Sequence, residues 1–282
     1  MCGIVIAAFF AVPFTFMNIE RGLIVWSAYD YTLTKSISGI LTSRHGIFEI
    51  FDYLNSEEYN GLSYPYQHED IIYYTTQNLI AGKDSIISRT AEETHFILSH
   101  QGDITYKKIY DSQLYYIINK QIRKFDMHTE HDMEVINDVN PDFGFDINSA
   151  GEILYTSALS EELMLLRPTD SQASRICDGR AAKFIDDDNI VFAFSDKIYR
   201  FNLIDQNRKV VKNRVNCTYI LLNPLKTHII FTHMRPTVDA PDMYAFEELY
   251  IMSVNGRNCR QINGFRSHIP NTATYGIEWI DL

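Results

Sequence analysis

Cysteine is scarce in this chain, and its placement excludes two scaffolds. The four cysteines stand at 2, 177, 217 and 259 with no C-x-x-C pair, so neither a zinc framework nor a disulfide framework is indicated. Cys177 and Cys217 each fall just outside a strand-like segment; one bridge between them stays open, with isolated thiols the expectation. Glycine (13) and proline (8) are modest, and no long stretch has the composition of disorder. No window places apolar residues at i, i+3, i+4 and i+7 over three turns with caps, which argues against alternating strands and helices. No G-x-S-x-G elbow, H-E-x-x-H or Gly-rich phosphate loop occurs. Basic residues are outnumbered 25 to 36, giving a formal charge of −11, with no Lys/Arg stripe between aromatics. That field repels a phosphate backbone, so nucleic-acid binding is not expected and the acidity reads as solubility.

What is present leans toward strands. Tyr (18) and Phe (17) are abundant and apolar residues make up 46% of the chain. Aromatic and β-branched residues suit a pleated, half-buried surface. A length of 282 residues fits two average domains or one large all-β domain. Residues 1–21 form an apolar leader with no charge before Glu20, readable as a signal peptide, an anchor or a misassigned start. No Lys or Arg precedes the run and no small-x-small cleavage site follows it, while Arg21 just after it hints at a cytoplasmic body. Export or anchoring is the working expectation, with any membrane contact confined to 1–21.

The remaining sequence repeats itself. An apolar–apolar–aromatic triplet recurs at Trp26, Tyr73, Tyr116, Tyr155, Phe192 and Phe231, at spacings of 47, 43, 39, 37 and 39 residues. That is about the period of a four-stranded propeller blade. A second, alternating run keeps step with it through Phe48, Ile86, Ile122, Leu163, Ile198 and Leu249. "INSAGE" (147–152), "FIDDDN" (184–189) and "LNPLKT" (222–227) precede the aromatic runs and carry the Asn, Asp, Pro and Gly of tight turns. Each unit reads as strand a, turn, aromatic strand b, loop, alternating strand c, turn, strand d. "YGIEWIDL" (275–282) is a strand a with no b after it, and "GLIVWSA" (22–28) is a strand b with no a before it. Residues 22–282 are therefore expected to form one all-β domain, a six-bladed β-propeller closed by the C-terminal strand joining the first blade, which removes the open edge.

"IIFTHMRP" (229–236) and "EELYIMSVNGRNCRQI" (247–262), followed by "YGIEWIDL", resemble the WD40-like repeat of TolB-type six-bladed propellers. "FDINSAGEILYTSALSEELMLL" (145–166) is a second match, and the similarity is specific over 143–282 and weak over 22–140. Asn255 stands where that repeat has Asp before Gly256. The resemblance implies a binding or scaffolding propeller, often in the bacterial envelope; fold alone does not decide function.

Long loops single out one sector. Between strands b and c the chain is long at 233–247, 29–46 and 75–82, in blades six, one and two, which are neighbours in a closed ring. Long loops are often functional. His233, Arg235, Asp239, Asp242 and His268 fall in that sector, as do Arg44 and His45 near the end of 29–46, and these are the expected partner-binding residues. Arg235 with Asp242 also reads as an internal loop ion pair. His128 and His131 fall in a c–d turn and are expected in solvent. Asn216-Cys217-Thr218 matches a glycosylation sequon at near-chance frequency. The strand-b aromatics are expected in the core between blades.

Two function classes follow. The first is a non-enzymatic propeller that binds a protein or glycan partner through the blade six–one–two loops, with no cofactor, no metal and no catalytic residue. Its location is periplasmic or envelope-associated, or cytoplasmic if the leader is not a signal. The second is a propeller polysaccharide lyase or hydrolase with a His-lined metal site near the axis, His233 and His268 being the ligands to test.

Overall fold

The computed structural model describes residues 23–30, 39–44, 47–53, 60–78, 82–90, 93–235, 246–261 and 272–280. Its elements are strands, numbered here in chain order. One sheet contains β1 (Leu23–Asp30), β2 (Gly39–Arg44) and β3 (Ile47–Tyr53). The next contains β4 (Asn60–His68), β5 (Ile71–Asn78), β6 (Lys83–Arg89) and β7 (Thr94–Gln101). It is followed by β8 (Ile104–Tyr110), β9 (Gln113–Ile118), β10 (Gln121–Asp126) and β11 (Asp132–Ile136). The fourth contains β12 (Phe145–Ile147), β13 (Ile153–Thr156), β14 (Glu162–Leu166) and β15 (Ser174–Asp178). The fifth contains β16 (Arg180–Phe184), β17 (Asn189–Phe194), β18 (Lys197–Asn202) and β19 (Arg208–Asn213). The sixth contains β20 (Ile220–Leu222), β21 (His228–Arg235), β22 (Phe246–Ser253) and β23 (Arg260–Gln261). Five of these sheets are thus four consecutive antiparallel strands. The first is completed by β24 (Thr272–Ile280), which pairs with β1 from Leu23↔Ile280 to Asp30↔Thr272. The architecture is an all-β propeller.

The period-2 pattern explains why the sheets stack. In β17, Ile190 and Phe192 point to one face and join Leu154, Leu163 and Leu165 of the preceding sheet. Val191 and Ala193 point to the other face and join Ile229, Phe231 and Met252 of the following one. A single strand, "NIVFAF", therefore feeds two cores, because successive side chains leave a strand in opposite directions. Phe192 is wholly buried and stacks on Tyr199 at 5.4 Å between ring centroids. Burying such a ring contributes about 1.5–3 kcal/mol. Tyr73, Tyr116, Tyr155 and Phe231 are buried likewise, so the strand-b aromatics described here are core, as expected. The outer strands β15 and β19 are mostly exposed.

The expected turns are formed by side-chain acceptors. Asn223 Oδ1 accepts from Thr227 N and His228 N at 2.8 and 2.7 Å, and Asn148 Oδ1 accepts from Ala150 N and Glu152 N at 3.1 and 2.9 Å. These Asx-type bonds close the a–b turns before β21 and β13.

Three sequence readings need correction. Phe48 lies in β3, the outermost strand of its sheet, because β2 (Gly39–Arg44) already serves as strand c; the alternating run at 46 is one strand later than its spacing suggested. Residues 75–78 belong to β5, 233–235 and 246–247 to β21 and β22, and 29–30 and 39–44 to β1 and β2, rather than to loops. Cys177 sits inside β15 rather than outside a strand, and it packs with Leu163 and Phe192 while Cys217 packs with Val191 and Phe231, so no disulfide joins them. His128 and His131 are exposed between β10 and β11, as expected.

Candidate functional site

The inner strands β4, β8, β12, β16 and β20 converge on a cavity of about 470 Å³ at the end of the sheets that carries the a–b turns. Its walls are Tyr66, Ile109, Ile147, Phe184, Leu221 and Leu222, and its rim includes Glu69, Pro224 and Lys226. A cavity of this size, lined by more polar than apolar surface and carrying a few convergent charges beside aliphatic side chains, has room for a ligand. Three ammonium groups, Lys108, Lys183 and Lys226, line it against two carboxylates, Asp146 and Glu69. This is a local excess of positive charge in a chain of formal charge −11.

Lys108, Lys183 and Asp146 stand on the separate strands β8, β16 and β12. Lys108 Nζ lies 3.5 Å from Asp146 Oδ1 and 5.0 Å from the Tyr66 ring centre. Lys183 Nζ donates to the Phe145 carbonyl at 2.9 Å. Asp146 Oδ2 accepts the Phe184 N–H at 2.9 Å. Burial works to raise the Asp146 carboxyl pKa, but Lys108, Lys183, the Phe184 N–H and Lys226 outweigh it and hold the group below the ordinary carboxylate value. It therefore stays ionised.

Beyond the cavity the axis narrows against three tyrosines. Tyr64 and Tyr106 have ring centres 5.4 Å apart, and Tyr106 and Tyr219 5.7 Å. Tyr106 donates its hydroxyl to the Asp142 carbonyl at 2.8 Å. Burial, with nearby Asp142, Asp103 and Asp84, pushes the Tyr64 hydroxyl up to about 12. The Tyr106 hydroxyl is held well above its ordinary range by burial, Tyr219, Tyr64 and Asp142. Both rings therefore stay neutral. Lys107, buried, donates from Nζ to Thr75 Oγ1 at 2.6 Å.

Bulges aim these residues. The register of β4 shifts between Ser63 and Tyr66, that of β8 between Thr105 and Lys107, and that of β16 between Arg180 and Lys183. An extra residue breaks the alternation, so neighbours in sequence turn to one side. Tyr106, Lys107 and Lys108 line the same narrow void for that reason. Strict alternation would send Lys107 away from its neighbours, which is why sequence reading missed this site. A cluster of polar and aromatic residues at strand-a positions was its faint signal.

The residues expected from sequence lie elsewhere. His233 is at the opposite end of β21, where its Nδ1 accepts the Asn216 N–H at 3.1 Å and its ring meets Tyr250 edge-on. Arg235 closes β21 in the backbone; Asp239, Asp242, His268 and His45 fall outside the described residues. Arg44 ends β2 and pairs with Ile47, so it stands at the end of the sheet away from the β1–β2 connection rather than in a b–c loop. Among the described residues no group of three or more His, Cys, Asp and Glu is arranged to hold a metal ion, and no helix is long and apolar enough to cross a membrane.

No protein-family model and no curated protein matches the chain. Solved structures do. TolB from Acinetobacter baumannii superposes with a TM-score of 0.70 at 11% identity, over 92% of this chain and 66% of that one. The chain thus spans just under two thirds of that protein's length. A chain of a nidogen/laminin complex matches with a TM-score of 0.60 at 11% identity, over 92% and 98%. YCF48 bound to a D1 peptide matches at 0.54 and 10%, over 86% and 78%. At these identities the likeness is one of fold, and in fold the chain is a TolB-like β-propeller.

Proposed function

We propose that this chain is a non-enzymatic binding propeller that holds a protein partner. The observation that carries the reading is the axial cavity, where Lys108, Lys183 and Lys226 converge beside aliphatic side chains while the adjoining tyrosines are held neutral. Such a site is suited to holding a ligand; it offers no nucleophile paired with a base. Fold neighbours in complexes with laminin and with a D1 peptide support the protein-binding class.

The ring is read as six-bladed and closed, supported by the β24–β1 pairing and by contacts of β24 with β4 and β20. The b–c loops of blades six, one and two, with His233, Arg235, Asp239, Asp242 and His268, are proposed as a second contact surface at the other end. Location in the cell envelope belongs to the same proposal, on the strength of the apolar residues 1–21 and the TolB likeness.

A photo-crosslinking residue at Leu225, exposed on the turn that bears Lys226, and another at His233 test the reading in cells that make the chain. One discrete protein partner is expected at one or both. A divalent ion bound once per chain, and lost in a His233→Ala/His268→Ala double variant, would overturn it and put the lyase or hydrolase class ahead.

A further inference from the structure

Resting on the binding reading above, we infer that the axial cavity receives a carboxylate carried on an apolar peptide segment. Charge argues for the carboxylate. Lys108, Lys183 and Lys226 reach the cavity from three different sheets and, among its described lining residues, are opposed by Asp146 and Glu69. Asp146 is itself engaged by the Phe184 N–H and Lys108, so an entering anion meets a net positive field rather than a bare acid. Charge-assisted contacts with lysine are the strong ones in a partly desolvated cleft.

The walls argue for the peptide. Ile109, Ile147, Leu221, Leu222 and Pro224 offer aliphatic surface on which apolar side chains flanking the acid would lie. A hydroxyl-rich glycan would need many acceptors, and several of those in the cavity are already occupied. Asn223 Oδ1 accepts two backbone N–H groups, Asp146 Oδ2 accepts a third, and Gln67 directs its amide to the Glu69 carbonyl. A ligand that needs positive charge and apolar contact fits; one that needs many neutral acceptors does not.

The test uses the full chain and defined probes in calorimetric titration. The probes are acetyl-Leu-Asp-Leu-Glu-Leu-amide, its Asn/Gln counterpart, and trigalacturonate. The acidic pentapeptide is expected to bind, the neutral counterpart at least about tenfold more weakly, as loss of a charge-assisted contact implies. Lys226→Gln, on an exposed turn, should weaken the acidic peptide by about tenfold and Lys226→Arg by less, with affinity falling as salt rises. Lys108→Gln, checked for an unchanged fold by circular dichroism, should do the same.

Equal binding of the neutral peptide would overturn the inference, as would no binding of either peptide. Tighter binding of trigalacturonate would also overturn it, in favour of a uronate ligand. The Leu225 crosslinking experiment separates this failure from that of the broader reading. A partner captured equally by wild type and Lys226→Gln leaves the binding propeller standing without the acidic peptide, whereas no captured partner removes the binding propeller itself.

Discussion

Asp146 and Phe184, on adjacent inner strands β12 and β16, are joined by a 2.9 Å bond from the Phe184 N–H to the Asp146 carboxylate. Two sheets earlier, Asp84 Oδ2 accepts the Ile104 N–H at the same distance. In each case a buried acid occupies a backbone donor of the next sheet, so neighbouring blades are linked by polar bonds as well as by side-chain packing. Buried donors need such partners.

Asp146→Asn keeps an acceptor for Phe184 but removes the charge opposing Lys108, Lys183 and Lys226. A loss of about 2 kcal/mol in urea unfolding at pH 7 is expected, less than for a fully buried pair because Lys108 and Lys226 reach solvent. The native carboxyl is held below its ordinary value, so the stability it supplies is present above the unfolded pKa and is lost as pH falls through the folded one. The variant should lack that part of the acid loss. An identical acid profile in both proteins would sink the assignment.

Asp84 behaves in the opposite sense. Burial is the largest influence on its carboxyl and Asp103 adds to it; against the Ile104 N–H and Lys107 these push the pKa up to about 6. The folded state then holds more protons than the unfolded state between the ordinary carboxylate value and about 6, so this group's contribution declines as pH rises through that window. Subtracting the stability–pH curve of Asp84→Asn from that of wild type should give a falling difference there. A flat or rising difference contradicts the prediction.

Gly144 has φ of +68°, and a β-carbon added to it would stand 2.6 Å from Cδ1 of Tyr106. Gly144→Ala should therefore destabilise the fold by about 1–3 kcal/mol, from backbone strain and the displaced ring together. Thermal unfolding of Gly144→Ala in a Tyr106→Ala background separates the two, since only the steric part is relieved. Additive effects of the two changes would show that the ring and the glycine do not interact.

Ending the chain after residue 271 removes β24 and leaves β1 without the partner it has along its whole length. If the ring closes as proposed, the melting temperature should drop by about 10 °C or more, reflecting several kcal/mol in a chain of this size. An unchanged transition would argue that closure contributes nothing.

Much of the fold was legible because it depends on local alternation. All six aromatic triplets fall in second strands, β1, β5, β9, β13, β17 and β21, since a strand buried on both faces tolerates only apolar and aromatic residues. The Asn and Asp turns were legible for the same local reason. Phe48 was misplaced because β2, "GILTSR", ends in polar residues that do not read as a strand, so the stronger pattern after it took its place.

The candidate site was almost wholly hidden. Lys108, Lys183 and Lys226 are 75 and 43 residues apart in order and carry no shared motif. The sequence by itself determined the strands, their turns and the faces that become core, because those follow from periodicity and side-chain chemistry over a few residues. Only the tertiary structure decided that the bulges of β4, β8 and β16 turn successive side chains the same way, and that five separate inner strands meet around one cavity. A register shift changes which side of the sheet a residue faces without changing its identity, so convergence on an axis is a property of the packed sheets and leaves no mark on any one segment.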